Sequence, residues 1–431
     1  MRKNRVDVIT MGCSKNLIDS ELLMRQFAQN GYQVMHDPEE PCGEIVVINT
    51  CGFIERAREE SIEMILELAQ AKRQGKIGKL YVMGCLSERY QTELEAELPE
   101  VDRFYGKFNW KSLLKDIGKA YHTLPSDARL LSTPSHYAYL KIAEGCDRTC
   151  AYCSIPLMTG KYQSRRIEDI VLEAEGLAKN GVKELQLIAQ DLTYYGTDLY
   201  RRQRIADLVQ SLTKVCGIEW IRLHYAYPNH FPMELLKVIR EEPKVCKYID
   251  IALQHANDEV LKAMKRHVTK AETLDLIKSI RSEVPGIYLR TTLMVGHPGE
   301  TDEAFEELLS FVQDVRFERM GAFSYSHEEG TYGYQHYKDE IPPAVKDERL
   351  NRLMALQEEI ALEQAEHFVN TQQRVIIDRE EDHYYIGRTE YDSPDVDPEV
   401  LITKDQFLEV GNFYEVQITK AEGFDTIAKV I

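Results

Sequence analysis

Cys146, Cys150 and Cys153 form a C-x-x-x-C-x-x-C set, with an aromatic residue, Tyr152, directly before the last cysteine. A loop of this kind supplies three thiolates, whereas a cubane iron-sulfur cluster has four irons to ligate. One iron is thereby left open to a substrate or cofactor. Structural zinc is the competing assignment, but it calls for a fourth Cys or His close by. The next ones, Cys216, His224 and His230, lie far along the chain. Three further cysteines repeat a different pattern: each follows an apolar, β-branched run and a small residue, as Gly12-Cys13, Thr50-Cys51 and Gly84-Cys85. They read either as a second metal-binding set or as buried structural cysteines. Cys42, Cys216 and Cys246 fit neither set and read as small core or loop residues.

The elements that must position these thiols follow from periodicity, and they predict an α/β multidomain protein. From residue 1 to about 125, strand candidates at Val6–Met11, Glu44–Asn49 and Lys79–Met83 alternate with helical stretches, which is the pattern of a parallel-sheet α/β domain. Ligands of such sheets sit outside the carboxyl ends of the strands. Cys13, Cys51 and Cys85 each follow a strand there, so they can meet. Residues 125–136, with Pro125, Pro134 and several Ser and Thr, read as a linker. A second series occupies 137–367, with strand candidates at Tyr137–Ala143, Glu184–Ala189, Glu219–Tyr225, Tyr248–Leu253, Tyr288–Val295 and Arg319–Tyr325. Six such units predict a partial (β/α)6 barrel with its chemistry at the carboxyl ends of the strands and one side open to a large substrate. After Pro342-Pro343 a helix is expected over Lys346–Phe368. Short strands at Arg374–Asp378, Tyr384–Glu390, Glu399–Thr403 and Tyr414–Thr419 then predict a small β-barrel over 371–431.

Composition narrows the partners. No apolar run approaches the 18 or so residues of a membrane span. The basic stretch Met1–Val6 is followed too soon by Asp7 and Gly12-Cys13 for a signal peptide. A cytoplasmic chain is therefore expected, with no membrane association. Its clustered thiols would be metal ligands rather than disulfides. The net charge of −18 repels phosphate backbones and favours a basic partner over a nucleic acid.

The triplet on the first loop of a six-unit barrel resembles the radical S-adenosylmethionine superfamily. The resemblance extends through Glu144–Pro156, Gln190-Asp191 with Tyr195-Gly196, Ile251–His255 with Met264-Lys265-Arg266, and Arg290–Thr301 to the methylthiotransferase branch of that superfamily. It implies a 4Fe-4S cluster on Cys146, Cys150 and Cys153 whose open iron binds S-adenosylmethionine and cleaves it to a 5'-deoxyadenosyl radical. It implies a second 4Fe-4S cluster on Cys13, Cys51 and Cys85, which match the family's three widely separated cysteines one by one. Their separation is no obstacle: doubling a loop costs about 0.6 kcal/mol, and metal binding contributes on the order of 10 kcal/mol to folding. By the same resemblance Tyr152 lies beside the adenine, and Gln190 and Asp191 receive polar groups of the cofactor. A Gln-Asp pair after a strand is equally well a cap or turn. Arg222 and Arg290, in barrel strands, need anionic partners; the carboxylate of S-adenosylmethionine is one candidate and an internal Asp or Glu another. His224, His230, His255 and His297 read as hydrogen-bonded or solvated residues, and Thr301 or Asp302 as a helix cap.

The branch modifies either a tRNA adenosine or an aspartate of a small-subunit ribosomal protein, and the terminal segment bears on which. Residues 371–431 hold six Lys or Arg against fourteen Asp or Glu, which makes direct RNA binding unlikely there and suits a Lys- and Arg-rich protein. The segment Arg388–Asp397 also resembles the terminal, TRAM-like domain of the ribosomal-protein branch, or else is a solvated acidic loop. The resemblance thus implies methylthiolation of the β-carbon of an aspartate in ribosomal protein S-twelve, met free or on the ribosome, with an electron donor as a further partner. A tRNA methylthiotransferase and a non-catalytic iron-sulfur carrier are the competing readings.

Overall fold

Apolar runs buried on both faces, each followed by a helical stretch, are what a parallel sheet between two helix layers requires. The computed structural model describes residues 1–123 and 129–431 and forms such a sheet first. Its strands are β1 (Arg2–Thr10), β2 (Gln33–His36), β3 (Gly43–Thr50), β4 (Lys79–Gly84) and β5 (Arg103–Phe104), in the order β2-β1-β3-β4-β5 and all parallel. One face packs on Ile9, Val46, Ile48, Leu80 and Val82, the other on Val6, Val8, Val47 and Tyr81. β1, β3 and β4 are neighbours, so their carboxyl ends, and the cysteines that follow, are adjacent in space.

Of the linker expected at 125–136, residues 125–128 lie outside the described residues. From Arg129 the chain is irregular and is held by ion pairs of Arg129 with Glu21 and Glu173, both at 3.2 Å. The second sheet then begins with β6 (Tyr137–Lys141), followed by a two-residue antiparallel pair, β7 (Ala143–Glu144) with β8 (Gln163–Ser164). It continues through β9 (Glu184–Ile188), β10 (Trp220–Ala226), β11 (Val245–Gln254), β12 (Tyr288–Val295) and β13 (Arg319–Ser324). The parallel order β13-β12-β11-β10-β9-β6 does not close. All six barrel strands stand where the sequence placed them within a few residues. Helix Ser14–Gln29 lies along β6, and helix Pro343–Phe368 covers the other edge, β13. No helix among the described residues is long and apolar enough to cross a membrane.

The terminal strands β14 (Gln372–Glu380), β15 (Tyr384–Arg388), β16 (Val400–Thr403), β17 (Phe413–Glu422) and β18 (Asp425–Val430) close a small barrel around Val375, Ile377, Ile402, Val416 and Ile418. The loop after β15 corrects two expectations. Arg388–Asp397 is not a solvated acidic loop: Arg388, Thr389, Asp392 and Ser393 are buried. The loop plugs the amino-terminal end of the larger barrel, where Asp392 pairs with Arg319 at 2.6 Å and Asp397 with Arg290 at 2.6 Å. Arg222 is fully buried, pairs with Glu184 at 3.0 Å and donates to the carbonyls of Glu390 and Thr389. Arg222 and Arg290 therefore meet internal carboxylates and loop carbonyls, not a cofactor, because their positions near the starts of β10 and β12 point them away from the chemical end of the barrel. The acidity of the terminal domain is in part internal for the same reason.

Arg388 lies at the centre of this plug, with Glu184 at 2.8 Å and Asp378 at 2.6 Å. Removing one member of a buried ion cluster strands the others and costs about 3–5 kcal/mol. Arg388→Met is expected to lower the denaturation midpoint and to expose the junction near residue 369 to protease; an unchanged midpoint would contradict the plug's role. Burial would raise the Asp378 carboxyl, but Arg388 and His136 outweigh it and hold it at about 2. A depressed carboxylate stabilises the fold above its unfolded value of about 4 and loses that contribution as pH falls toward 2. Acid titration of the wild type should show this loss in that window, and Asp378→Asn should flatten it.

Candidate active site

The first triplet is built by three strand-to-helix turns. Cys13 precedes helix Ser14–Gln29, Cys51 follows β3, and Cys85 opens helix Cys85–Glu97 after β4. Gly12 has φ 89°, and a Cβ there would fall 2.7 Å from the Cβ of Cys51, so only glycine lets these two turns touch. Asn16 stitches them further: its amide donates to the carbonyls of Met11 (3.1 Å) and Thr50 (3.0 Å), and Cys85 Sγ approaches its oxygen at 3.6 Å.

The second triplet lies on the loop after β7. Gly145, at φ 79°, allows the chain to pass against the Lys161 carbonyl, where a Cβ would sit at 2.1 Å. The Ala151 N–H donates to the Met264 carbonyl at 2.9 Å, which pins the loop to the barrel. Arg266 reaches Cys150 Sγ at 3.6 Å and Tyr152 Oη at 3.4 Å, and Tyr227 Oη lies 3.7 Å from the same sulfur. The two loops also touch each other, since Ser154 Oγ donates to the Phe53 carbonyl at 2.9 Å.

All six cysteines line one cavity of about 340 Å³, together with Lys15, Phe53, Tyr152, Gln190, Tyr225 and Gln254 among others. Cys42, Cys216 and Cys246 are not part of it. No three His, Cys, Asp or Glu side chains among the described residues close on a single ion; the triplets edge a wider space, which suits a polynuclear group. Burial pushes the thiols of Cys51 and Cys153 up, and those of Cys85 and Cys146 up to about 12. Such thiols stay neutral until a metal displaces their protons.

Two amide oxygens, Gln190 Oε1 and Gln254 Oε1, are buried with no protein partner. Both residues line the cavity, and an unpaired buried acceptor there fits a ligand bearing N–H or O–H groups. Gln190 is also held from behind, donating to Glu144 at 2.8 Å. Asp191 serves the turn instead: it accepts from Thr193 Oγ1 at 2.6 Å and Tyr194 N at 3.2 Å and pairs with Arg148 at 2.8 Å. Tyr225 and Gln254, at the carboxyl ends of β10 and β11, have φ of 62° and 73°. Strain of this kind concentrates at functional sites.

Sequence reasoning missed Lys15, Lys107 and Tyr225 as cavity residues, whereas Arg148, Gln254 and Arg266 fall in stretches that carried the resemblance. His224 Nε2 donates to Gln186 Oε1 at 2.6 Å, burial pushing its imidazole well down, and Thr301 caps helix Asp302–Val315 through Ala304 N. Both match the modest roles expected of them.

Residues 140–312 match the Radical SAM superfamily, 5–106 the Uncharacterized protein family UPF0004, and 369–431 the TRAM domain. Among solved structures, the radical S-adenosylmethionine methyltransferase TsrM from Kitasatospora setae, with cobalamin and a [4Fe-4S] cluster bound, aligns at TM-score 0.55 and 13% identity. That alignment covers 75% of this chain and 72% of TsrM. At that identity the likeness concerns the fold. The sequence relatives are much nearer. Proteins named ribosomal protein uS12 methylthiotransferase RimO are 63% identical over 431 residues in Parabacteroides distasonis, covering 100% of both chains. Those of Porphyromonas gingivalis are 60% identical over 433 residues, again with 100% of both chains. In Flavobacterium johnsoniae the figure is 52% over 427 residues, covering 99% of this chain and 98% of the relative. With full-length identity at that level and both cysteine triplets on one cavity wall, the chain belongs to the RimO family of radical S-adenosylmethionine methylthiotransferases.

Proposed function

We propose that the cavity methylthiolates the β-carbon of an aspartate in ribosomal protein uS12, using S-adenosylmethionine and two 4Fe-4S clusters. Cys146, Cys150 and Cys153 would hold the cluster with the open iron, and Cys13, Cys51 and Cys85 the other. The observation that carries this reading is the convergence of six cysteines, from two different sheets, on one cavity. Bound there, these groups supply the electron that cleaves S-adenosylmethionine to methionine and a 5'-deoxyadenosyl radical, the sulfur to be transferred and, from a second S-adenosylmethionine, its methyl group.

The chain's own residues then position and shield. Tyr152 stands beside the second triplet as a wall for the adenine. Gln190 and Gln254 offer acceptor oxygens to the amine and ribose hydroxyls of the cofactor. Arg266 directs a guanidinium at Cys150 Sγ, where it offsets negative charge on a bound thiolate. Phe53, Ile155, Met158, Ala226, Ala252 and Phe323 give the cavity a largely apolar lining, which keeps water and stray reductant from a radical. A radical is needed because an unactivated β-hydrogen is too weakly acidic for a positioned base.

A basic ribosomal protein fits the exposed remainder of the terminal domain, where Asp382, Asp395, Asp405, Glu409 and Glu415 face solvent. A phosphate backbone fits it poorly. A carrier that only hands on a cluster has no use for a largely apolar cavity between its thiols. The setting is expected to be the cytoplasm, with an electron donor as second partner.

The test is mass spectrometry on the anaerobically loaded, reduced enzyme given S-adenosylmethionine with either purified uS12 or tRNA. One methylthio group should appear on a uS12 aspartate with release of 5'-deoxyadenosine. A gain on tRNA alone would overturn the substrate, and no 5'-deoxyadenosine from loaded enzyme would favour the carrier. In the same assay Cys150→Ala should abolish 5'-deoxyadenosine. Cys51→Ala should halve the iron content and abolish methylthio transfer while leaving 5'-deoxyadenosine release in place.

A further inference from the structure

Among the described residues four cationic side chains line the cavity, Lys15, Lys107, Arg148 and Arg266, and no Asp or Glu does. Three of them are engaged. Lys107 lies 3.2 Å from Asp19 and 3.6 Å from Glu144, and Arg148 pairs with Asp191 at 2.8 Å. Arg266 is held by the Ala252 carbonyl and Cys150 Sγ. Lys15 makes no carboxylate pair among the described residues; its Nζ rests 3.6 Å over the ring of Tyr225. That ring is presented from a left-handed backbone, φ 62°, which is strained for a non-glycine residue. Lys15 stands two residues beyond Cys13 yet contacts the carboxyl end of β10, so it bridges the two halves of the cavity.

We propose that Lys15 binds the side-chain carboxylate of the substrate aspartate; this rests on the aspartate reading above. A carboxylate entering a largely apolar, cation-lined space without its own partner would carry a large desolvation penalty, and Lys15 is the cation with a free valence. The carboxylate carbon is bonded directly to the β-carbon. A charge-assisted bond to it therefore fixes the reacting C–H one bond from its anchor, which is the positioning a hydrogen-atom abstraction demands. The pair also selects Asp over Asn, since an amide oxygen can accept from the ammonium but cannot neutralise its charge. The cation–π contact with Tyr225 holds the ammonium ready, and a desolvated ion pair with the substrate is the stronger interaction.

The test is an affinity measurement on the cluster-loaded enzyme with S-adenosylmethionine and no reductant, using labelled uS12 and uS12 with the modified aspartate changed to Asn. Lys15→Gln should weaken binding of uS12 about tenfold or more. The Asn substitution should weaken binding to the wild type by a similar factor, and the two changes together should cost no more than either alone. Equal wild-type affinity for the two uS12 forms would overturn the proposal. So would a Lys15→Gln loss of the same size for both forms, which is what a merely structural or cluster-screening role predicts. Iron content and visible absorption check that Lys15→Gln is loaded; if it does not load, the wild-type comparison of the two uS12 forms still decides. A failed substrate reading shows itself separately, as wild-type enzyme that adds no mass to uS12.

Discussion

A buried cluster of four charges holds the two cysteine-bearing domains in register. Lys107 and Asp19 come from the first sheet's domain, Lys141 and Glu144 from the barrel, and Asp19 bridges both lysines, at 3.2 Å and 2.6 Å. Glu144 closes the ring to Lys141 at 2.8 Å and passes a further bond to Gln190. Burial works against the Glu144 carboxyl, but Lys141, Lys107 and Gln190 prevail and hold it at about 2. Paired buried charges resist sliding because each displaced member would be stranded. Two surfaces that must present thiols across a few ångströms benefit from that rigidity more than from an apolar contact, which tolerates small shifts. Glu328 adds a second lock on the same interface, paired with Arg58 and Arg89 and accepting from Glu55 N at 2.8 Å.

The barrel is thus closed by different means at its two ends. At the carboxyl ends of its strands lie the cysteines, the strained Tyr225 and Gln254 and the unpaired amide oxygens. At the amino ends, Arg222, Arg290, Arg319 and Arg388 interlock with Glu184, Asp378, Asp392 and Asp397 of the barrel wall and the terminal domain. That division is general for barrels, chemistry at one face and stability at the other. It explains why the small terminal barrel, at the end opposite the thiols, is so tightly attached: its loop plugs the amino-terminal end of the larger barrel. Part of its acidity serves that plug, and only the remainder is offered to a partner.

Much of this was legible in the sequence, for identifiable reasons. Cysteine chemistry is carried by residue type and local spacing, so Cys146, Cys150 and Cys153 could be read directly; for Cys13, Cys51 and Cys85 the β-branched runs before them placed the thiols at one sheet edge, and the family resemblance implied their role. The six barrel strands are long and apolar and were readable within a few residues. The edge strands β2 and β5 escaped because four and two residues carry too little alternation. β18, Asp425–Val430, was hidden by its polar outward positions. Arg222 and Arg290 were identified as needing anions, but which anion is a tertiary fact: Glu184 on the neighbouring barrel strand for Arg222, and Asp397 on a loop some 100 residues downstream for Arg290. Lys15 and Lys107 gave no signal, since a lysine on a helix or loop looks solvated until the opposing domain is in place.

The central claim is that two iron-sulfur clusters share this one cavity, and X-ray diffraction at the iron absorption edge on crystals of the anaerobically loaded protein tests it most directly. Two separate iron-rich peaks are expected on the cavity wall, one within bonding distance of Cys13, Cys51 and Cys85 and one of Cys146, Cys150 and Cys153. A single peak, or iron at Cys42, Cys216 or Cys246, would contradict it.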